Sequence, residues 1–433
     1  MRNQIIDIGA EELSYEIREI VDFAKRIEKL GQQITWENIG DPIAKGEEVP
    51  DWIKQIVQKT TAENSSYGYA PTKGLNETRK FLVDLVNGRK KVKISKQDII
   101  FFNGLGDAIN KIYGLLKPWV RVIGPAPAYP THSSAEATHA GAKHITYYCD
   151  TKNKWLPDLA DLRMKVKYNP NVSGILIINP NNPTGANYSR KILKGIVDIS
   201  KEFDLFIIAD EIYLNISYND RPPIPLSDVI EGVCGISMKG ISKELPWPGS
   251  RCGWIEIYNA AKDAVFQKYV KAIVDEKMLE VSSTILPQKV IPEIFSDRRY
   301  KNYQRDRNEK YRTRAKIAYS ILKNTKGVSL SPTKGAFYMT VVFNKNALNE
   351  QQKLKIKNPQ IKKVIEQATN GIVLDKRFVY YLLGATGICL VPLTGFCYDN
   401  YGFRVTLLEN NPNKFKWIFQ TLKQKIEEYV SSA

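Results

Sequence analysis

The chain carries near its middle the segment Gly240-Ile-Ser-Lys-Glu-Leu-Pro-Trp-Pro-Gly-Ser-Arg-Cys-Gly253, in which Arg251 follows Lys243 by eight residues. Its prolines and glycines restrict the backbone of this loop, and an apolar run follows it. A lysine held there can form a Schiff base with an aldehyde. The planar guanidinium of Arg251 can bind a phosphate through two hydrogen bonds. The alternative is a solvated surface lysine in a lysine-rich chain, and the choice depends on what the fold places beside this loop.

The composition is that of a globular protein with a large core. The chain has 433 residues, of which 43% are hydrophobic and 25% are charged, and this length allows a second domain. No apolar run approaches the roughly 18 residues of a membrane span, and the first residues lack a secretion signal. Five scattered cysteines without a CxxC pair fit a reducing compartment and give no metal-site spacing. We expect a soluble, cytoplasmic protein with no membrane partner and no bound metal.

The charge and the histidines argue against several other functions. A net charge of +17 without a nucleic-acid motif indicates a solvated, lysine-rich surface rather than a nucleic-acid interface. The same positive field favours a phosphate-bearing cofactor and carboxylate substrates. His132, His139 and His144 are the only histidines. Neither G-x-S-x-G nor H-E-x-x-H occurs, so hydrolase and zinc-enzyme functions are disfavoured.

Short apolar runs that alternate with helical stretches predict an α/β fold with a mostly parallel sheet. Runs without polar alternation indicate strands that are buried on both faces, and strand-helix alternation indicates parallel pairing. The runs are Ile99–Phe102, Val120–Ile123, Gly174–Ile178, Leu205–Ile208 and Trp254–Ile257.

Polar, glycine- and proline-rich or acidic clusters follow four of these runs. They are Asn103–Asp107, Pro125–Pro130, Asn179–Gly185 and Asp210–Tyr213. In open parallel sheets, ligands bind beyond the carboxyl ends of the strands. The four clusters therefore predict one composite site.

The ends of the chain have a different pattern. Apolar residues at three- and four-residue spacing predict a helix over 11–30. The segment after residue 296 predicts a smaller α+β unit, in which Ser296–Leu322 forms a long basic helix. A lysine-rich helical insertion near 349–369 and a closing helix over about 413–430 complete this unit.

Four motifs occur in the order found in one known family. They are Asn182-Pro-Thr-Gly185, Asp210-Glu-Ile-Tyr213, Ser242-Lys243 with Arg251-Cys-Gly253, and the late Arg404. Over roughly residues 35–430 the chain resembles class I/II aminotransferases, the fold-type I pyridoxal-phosphate enzymes. The resemblance implies a large domain with a mostly parallel seven-stranded sheet between helices, and a smaller α+β domain. We expect an N-terminal arm with part of the small domain at 1–48, the cofactor domain at 49–305, the small domain at 306–433, and a homodimer.

The resemblance assigns the chemistry to the strand-end residues. It implies that Lys243 holds pyridoxal 5'-phosphate as a Schiff base and moves the substrate proton. It implies that Asp210 pairs with the protonated pyridine nitrogen, and that Tyr213 and Asn182 bind the phenolate oxygen. The alternatives are a helix N-cap for Asp210 and a turn residue for Asn182.

The resemblance also implies which residues contact the phosphate and the ring face of the cofactor. Backbone N–H groups at a helix start suit a phosphate, and Tyr129 resembles the aromatic residue that stacks on the ring, with core packing as its alternative. Many relatives have a serine three residues before the lysine, where this chain has Gly240. The predicted phosphate contacts are Gly104, Leu105, Gly106, Ser242, Arg251 and, from a partner subunit, Tyr69.

The substrate contacts implied by the resemblance are Arg404, Gly40 and Asn182. Arg404 would bind the α-carboxylate with its guanidinium fork, and its alternative is a surface ion pair. Trp36 and the loop Leu393–Tyr398 are candidates for contacts with the substrate side chain.

The predicted activity is transfer of an amino group from an amino acid of alanine, aspartate or aromatic type to a 2-oxo acid such as 2-oxoglutarate, with ping-pong kinetics. Two alternatives stay open. One is a lyase of C–S lyase type with the same cofactor and fold, and the other is a cofactor-binding regulator. The regulator needs a DNA-binding segment, and the roughly 35 residues before the resemblance are too few for one.

Overall fold

The computed structural model of the protein describes residues 5–13, 15–219 and 222–432. The strands are β1 Thr35–Trp36, β2 Ile99–Phe102, β3 Arg121–Ala126, β4 Thr146–Asp150, β5 Leu156–Pro157, β6 Val172–Ile178, β7 Phe206–Asp210, β8 Gly235–Gly240, β9 Gly253–Tyr258, β10 Val328–Leu330, β11 Tyr338–Phe343, β12 Ile388–Cys389, β13 Val391–Pro392 and β14 Gly402–Thr406. The helices are α1 Glu16–Glu28, α2 Asp51–Thr61, α3 Asn76–Gly88, α4 Leu105–Gly114, α5 Pro130–Ala140, α6 Leu159–Lys167, α7 Arg190–Glu202, α8 Ile241–Glu244, α9 Ala264–Leu279, α10 Ile285–Ser296, α11 Tyr300–Leu322, α12 Pro359–Ala368, α13 Leu374–Thr386 and α14 Pro412–Val430.

The large sheet has the strand order β2-β9-β8-β7-β6-β3-β4-β5. Strands β4, β3, β6, β7 and β8 pair in parallel, so the predicted fold class is confirmed. The sheet has eight strands rather than seven because the two-residue β5 pairs antiparallel at one edge. The carboxyl ends of β2, β3, β6, β7 and β8 all lie at the same edge of the sheet.

Strand β9 is antiparallel to both of its neighbours, β2 and β8, and is therefore an exception within the mostly parallel sheet. Gly240 at the end of β8 pairs directly with Gly253 at the start of β9. Adjacent strands that are joined in this way form a hairpin, and a hairpin is antiparallel. The reversal places the start of β9, and therefore Arg251, at the same edge as the ends of the parallel strands.

The large sheet is covered by helices on both faces. Residues of one strand alternate between two clusters: Ile99 and Phe101 pack with α2, α3, α6, α7 and α10, whereas Ile100 and Phe102 pack with α4 and α9. This period of two is the geometry of a strand that is buried on both sides. It explains why the sequence runs are continuously apolar.

The smaller unit is built on the antiparallel sheet β10-β11-β14-β13. Helices α11, α13 and α14 pack against it, and β1 pairs with β12. Helix α1 joins the two units, because its Ile17 belongs to the core of the large sheet and its Ile20 to the core of the small one. The domain limits at 48/49 and 305/306 stay a prediction.

Three predicted helices differ in extent. In place of one helix over 11–30 there is a short 3-10 turn at Ile8–Glu12 and then α1. The basic helix begins at Tyr300, because Asp297 has an extended backbone. In the insertion near 349–369 only α12 is helical, and it begins where the Asn358 side chain caps it and Pro359 occupies its first turn. Within the described residues, no helix has the length and apolar character of a membrane span.

Candidate active site

The strand-end clusters meet in one cavity of about 420 Å³. The cavity lies at the carboxyl edge of the large sheet, with α1 and the small unit on its other side. Of the residues predicted from the sequence, it is lined by Gly40, Leu105, Gly106, Tyr129, Asn182, Asp210, Tyr213, Ser242, Lys243, Arg251 and Arg404. Tyr69 lies outside this cavity and is 85% exposed. The structure thus brings the predicted residues together at one cavity of a single chain, apart from Tyr69 and Gly104, which do not line it.

Lys243 points its amine into the cavity from the turn after β8. Its Nζ donates to the carbonyl oxygen of Gly40 at 2.6 Å. Arg307 fixes the backbone of this turn by donating to the carbonyl oxygens of Lys243 and Glu244, at 2.6 Å and 3.0 Å. Burial, helped by the positive charges of Arg404 and Arg251 and opposed by Asp41, lowers the pKa of Lys243 to about 8. This amine is therefore partly neutral near physiological pH.

Asp210 ends strand β7 as a buried carboxylate with two hydrogen-bond donors. The N–H of Ile212 donates to Oδ1 at 3.0 Å, and His132 Nε2 lies 3.2 Å from Oδ2. On its far side, His132 Nδ1 lies 3.2 Å from the hydroxyl of Tyr113. Sequence reasoning missed His132 and Tyr113, and the only available signal was that all three histidines fall in one stretch after β3.

Arg251 and the start of α4 form one wall of the cavity. Arg251 donates to the carbonyl oxygen of Pro248 at 3.1 Å and lies 3.5 Å from that of Asn103. Helix α4 begins at Leu105, with Gly104 before it at φ 87° and ψ 164°. The free N–H groups of this helix start and the guanidinium can bind an anion together.

Gly240 stands where many relatives have a serine, and the structure leaves no room for one. A Cβ at this position would lie 2.8 Å from the carbonyl oxygen of Cys252 and 3.2 Å from the Cα of Gly253. The close pairing of Gly240 with Gly253 requires glycine here. The nearby hydroxyl that does line the cavity belongs to Ser242.

Replacing Gly104 with alanine should destabilise the protein by about 1–3 kcal/mol, because its backbone angles belong to a region that only glycine tolerates. The added Cβ would also lie 2.3 Å from Nη2 of Arg251 and displace that guanidinium. Urea unfolding of the cofactor-free protein measures the loss. Gly106→Ala is the matched control, since a Cβ there meets nothing within 4 Å. Equal stability of the two variants would contradict this role for Gly104.

Arg404 is 1% exposed and reaches the cavity from β14. Its Nη1 donates to Oδ1 of Asn182 at 3.1 Å, and its Nη2 donates to the carbonyl oxygen of Asn38. The guanidinium lies 4.4 Å from the ring centre of Tyr338. No carboxylate is paired with it among the described residues, and its buried Nε has no partner. A surface ion pair is therefore not what Arg404 makes, and a buried cation of this kind suits a carboxylate ligand.

Two pairs of tyrosines complete the cavity. The hydroxyl of Tyr213 lies 3.0 Å from that of Tyr338, and the hydroxyl of Tyr129 lies 3.1 Å from that of Tyr15. A Cβ on Gly40 would lie 1.9 Å from the Tyr338 hydroxyl, so glycine is needed where the backbone passes this ring. Sequence reasoning found Tyr213, Tyr129 and Gly40 but missed their partners.

Arg18 is a further cation at the cavity that sequence reasoning missed. Arg18, on the first turn of α1, lines the cavity, and its side chain has no hydrogen-bond or ion-pair partner in the described part of the chain. The acidic neighbours Glu16 and Glu19 instead bind Lys376. Trp36 and the segment Leu393–Tyr398, which were predicted as candidates for side-chain contacts, do not line this cavity.

The donor set fits pyridoxal phosphate. One cavity contains a buried amine of lowered pKa, a buried carboxylate, a helix start beside a guanidinium, and a second guanidinium with an orphan N–H. These groups match the aldehyde, the ring nitrogen, the phosphate and a substrate carboxylate. Within the described ranges, no cluster of three or more histidine, cysteine, aspartate or glutamate residues could bind a metal.

Sequence comparison agrees with this site. A family model described as aminotransferase class I and II matches residues 37–414. The chain therefore belongs to the class I and II aminotransferases and is an enzyme of that kind, as the motifs predicted. Enzymes of this fold family use pyridoxal phosphate.

Three individual aminotransferases are similar to this chain over most of its length. An uncharacterized aminotransferase of Methanocaldococcus jannaschii is 59% identical over 432 residues, with 100% of both chains covered. The glutamate-pyruvate aminotransferase of Escherichia coli is 31% identical over 76% of this chain and 80% of its own. The solved alanine aminotransferase of Pyrococcus furiosus superposes with a TM-score of 0.84 at 25% identity, covering 97% of this chain and 99% of that one.

Proposed function

We propose that the protein is a pyridoxal-phosphate aminotransferase that moves an amino group between glutamate and a small 2-oxo acid of the pyruvate type. The observation that carries this proposal is the presence of Lys243, Asp210 and Arg404 on the walls of one cavity. The alanine-type relatives support the choice of substrates. The two half-reactions share this cavity, so they alternate and give ping-pong kinetics.

The bound cofactor supplies a cationic ring that accepts the electron pair of the bond broken at the substrate α-carbon. Asp210 would pair with the ring nitrogen. Arg404 and the backbone N–H at Gly40 would hold the α-carboxylate. The Nζ of Lys243, which is hydrogen-bonded to the carbonyl oxygen of Gly40, would take the proton from the substrate α-carbon and hold it. Tyr213 and Asn182, which line the same cavity, would donate hydrogen bonds to the phenolate oxygen.

The lowered pKa of Lys243 predicts a pH dependence for cofactor uptake. Only the neutral amine attacks the aldehyde, so the rate should rise about tenfold per pH unit up to about pH 8 and then level off. Mixing cofactor-free protein with pyridoxal phosphate in a stopped-flow spectrophotometer measures this rate. A rate that still rises towards pH 10 would show that Lys243 is not buried beside Arg404 and Arg251.

We propose that the protein acts as a homodimer in which Tyr69 of one chain reaches the phosphate of the other. Tyr67 and Tyr69 are 75% and 85% exposed, and Leu279 is 85% exposed. Large exposed aromatic and apolar side chains of this kind suit a subunit contact. The dimer is expected in the cytoplasm.

Arg18 supports a dicarboxylic substrate such as glutamate. Arg404 takes the α-carboxylate, and Arg18, which has no partner among the described residues, is then the cation left at the same cavity. A second carboxylate would meet Arg18 in the partly solvated mouth of the cavity. A small substrate such as alanine would leave Arg18 in water at little cost.

A panel of amino donors, each with 2-oxoglutarate or pyruvate, tests this proposal. Wild-type protein should react with glutamate and alanine. The Arg18→Gln variant should lose about tenfold or more in kcat/KM for glutamate and 2-oxoglutarate, while alanine and pyruvate change little. An equal loss for all four substrates would contradict the role of Arg18. Release of ammonia from cysteine, without transfer of the amino group, would identify the lyase instead.

A further inference from the structure

Three buried side chains form a hydrogen-bonded chain that ends on the carboxylate facing the cavity. Tyr113 on α4, His132 on α5 and Asp210 on β7 are 1%, 0% and 4% exposed. The Tyr113 hydroxyl lies 3.2 Å from His132 Nδ1, and His132 Nε2 lies 3.2 Å from Asp210 Oδ2. The proposed function uses Asp210 and leaves the other two groups unexplained.

The protons of this chain can be assigned by counting donors and acceptors. An ionised carboxylate only accepts hydrogen bonds, so His132 Nε2 must carry a hydrogen. If the imidazole is neutral, Nδ1 has a lone pair and accepts from the Tyr113 hydroxyl. Burial raises the pKa of Tyr113 well above its usual value, so the phenol keeps its hydrogen. Within the described residues, this hydroxyl has no other hydrogen-bond partner.

The doubly protonated imidazole fits this geometry less well. Both ring nitrogens would then donate, the Tyr113 hydroxyl would accept, and its own hydrogen would have no acceptor. An unsatisfied buried donor costs about 1–3 kcal/mol. The opposite neutral tautomer is also unfavourable, because it would place the lone pair of Nε2 against the carboxylate of Asp210.

We propose that Tyr113 is a positioning residue that fixes His132 as the neutral tautomer with its hydrogen on Nε2. His132 then always donates to Asp210 and orients that carboxylate towards the cavity. The catalytic meaning of this arrangement rests on the proposed function, whereas the tautomer itself is a property of the cofactor-free protein.

The histidine content of the chain makes the tautomer directly measurable. Long-range ¹⁵N–¹H correlation spectra of protein labelled at histidine should contain signals from three residues only. His144 is an internal reference for the opposite tautomer, because its Nδ1 lies 2.9 Å from the carboxylate of Glu136. Loss of one signal in a His132→Gln variant assigns His132.

The matched pair of variants is Tyr113→Phe and Tyr269→Phe. Each variant removes one tyrosine hydroxyl, but the hydroxyl of Tyr269 donates to the carbonyl oxygen of Ile112 on α4 and not to a histidine. In wild-type protein and in Tyr269→Phe, His132 should show the Nε2–H tautomer. In Tyr113→Phe it should become a mixture of tautomers or a protonated ring.

A second readout uses the protein with bound cofactor. The pH midpoint of the cofactor absorbance should shift by about one pH unit in Tyr113→Phe and stay unchanged in Tyr269→Phe, because the ring nitrogen faces an altered Asp210. Two results would overturn the proposal: an Nδ1–H or protonated His132 in wild-type protein, or a Tyr113→Phe variant with the spectra and midpoint of the wild type. Failure of the wild type to bind the cofactor would reject the proposed function but leave the tautomer measurement decisive.

Discussion

Replacing Lys243 with alanine should lower the rate of amino-group transfer by about four orders of magnitude, because this amine both attaches the cofactor and moves the proton. The variant should still fold, since within the described residues the side chain makes a single hydrogen bond, to the carbonyl oxygen of Gly40. Its absorbance with pyridoxal phosphate should be that of the free aldehyde. Single-turnover kinetics and absorbance spectra measure both effects.

The control for this substitution is Lys362→Ala, which removes an exposed lysine of α12, far from the cavity. That variant should keep the wild-type rate and spectrum. Addition of a small primary amine should restore part of the activity of Lys243→Ala and none to a variant that is merely misfolded. A wild-type spectrum in Lys243→Ala would reject the assignment of this residue.

Arg404→Lys should reduce kcat/KM by about 10²-fold or more for every amino donor, because loss of one partner of a buried, hydrogen-bonded charge pair costs about 2–5 kcal/mol. Lysine keeps the charge but cannot contact both Asn182 and the carbonyl oxygen of Asn38, as Arg404 does. The loss should appear mainly in KM and be independent of the substrate side chain. Steady-state kinetics with glutamate and with alanine measure it.

Two further measurements separate this role from a structural one. The absorbance of bound cofactor should be unchanged in Arg404→Lys, because Arg404 is assigned to the substrate and not to the cofactor. The Arg18→Gln variant should show the complementary pattern, with losses confined to dicarboxylic substrates. If Arg404→Lys impaired only glutamate, the assignment of the two arginines would have to be exchanged.

Much of this site could be predicted from the sequence because its residues follow directly after strands. Asn182 and Asp210 come after continuously apolar runs, and the topology of a parallel sheet brings such positions to one edge. Lys243 and Arg251 were found because the loop between them is rich in proline and glycine. The structure places all four on the walls of one cavity.

The residues that were missed are those whose role depends on a distant partner. Tyr338 meets Tyr213 across 125 positions of sequence, and Tyr113 meets Asp210 only through His132. A tyrosine in an apolar helix or strand has the same sequence pattern whether it fills the core or supports a site. Arg18 was missed for a similar reason, because its position on an amphipathic helix looks like that of any solvated cation.

The sequence did not predict that β9 is antiparallel to its neighbours, because an apolar run has the same pattern in either strand direction. The segment around residues 349–358 was predicted as part of a lysine-rich helical insertion, but it is not helical. In that segment every second residue is buried: Leu354 and Ile356 pack in the core of the small unit, and Gln352 donates to the carbonyl oxygens of Ala347 and Val430. Burial of alternate residues favours an extended chain. Helix α12 begins next to it, where the side chain of Asn358 caps the helix start.

The hairpin between β8 and β9 has a consequence for how the protein tolerates change in length. Because Gly240 and Gly253 are paired, the span from the amine of Lys243 to the guanidinium of Arg251 is determined by one closed loop and not by the relative position of two domains. An added or deleted residue at the exposed positions Lys90 and Lys91 would leave this separation unchanged. The same change between Glu244 and Pro248 would alter the distance between the amine and the guanidinium to which the two ends of the cofactor are assigned under the proposed function.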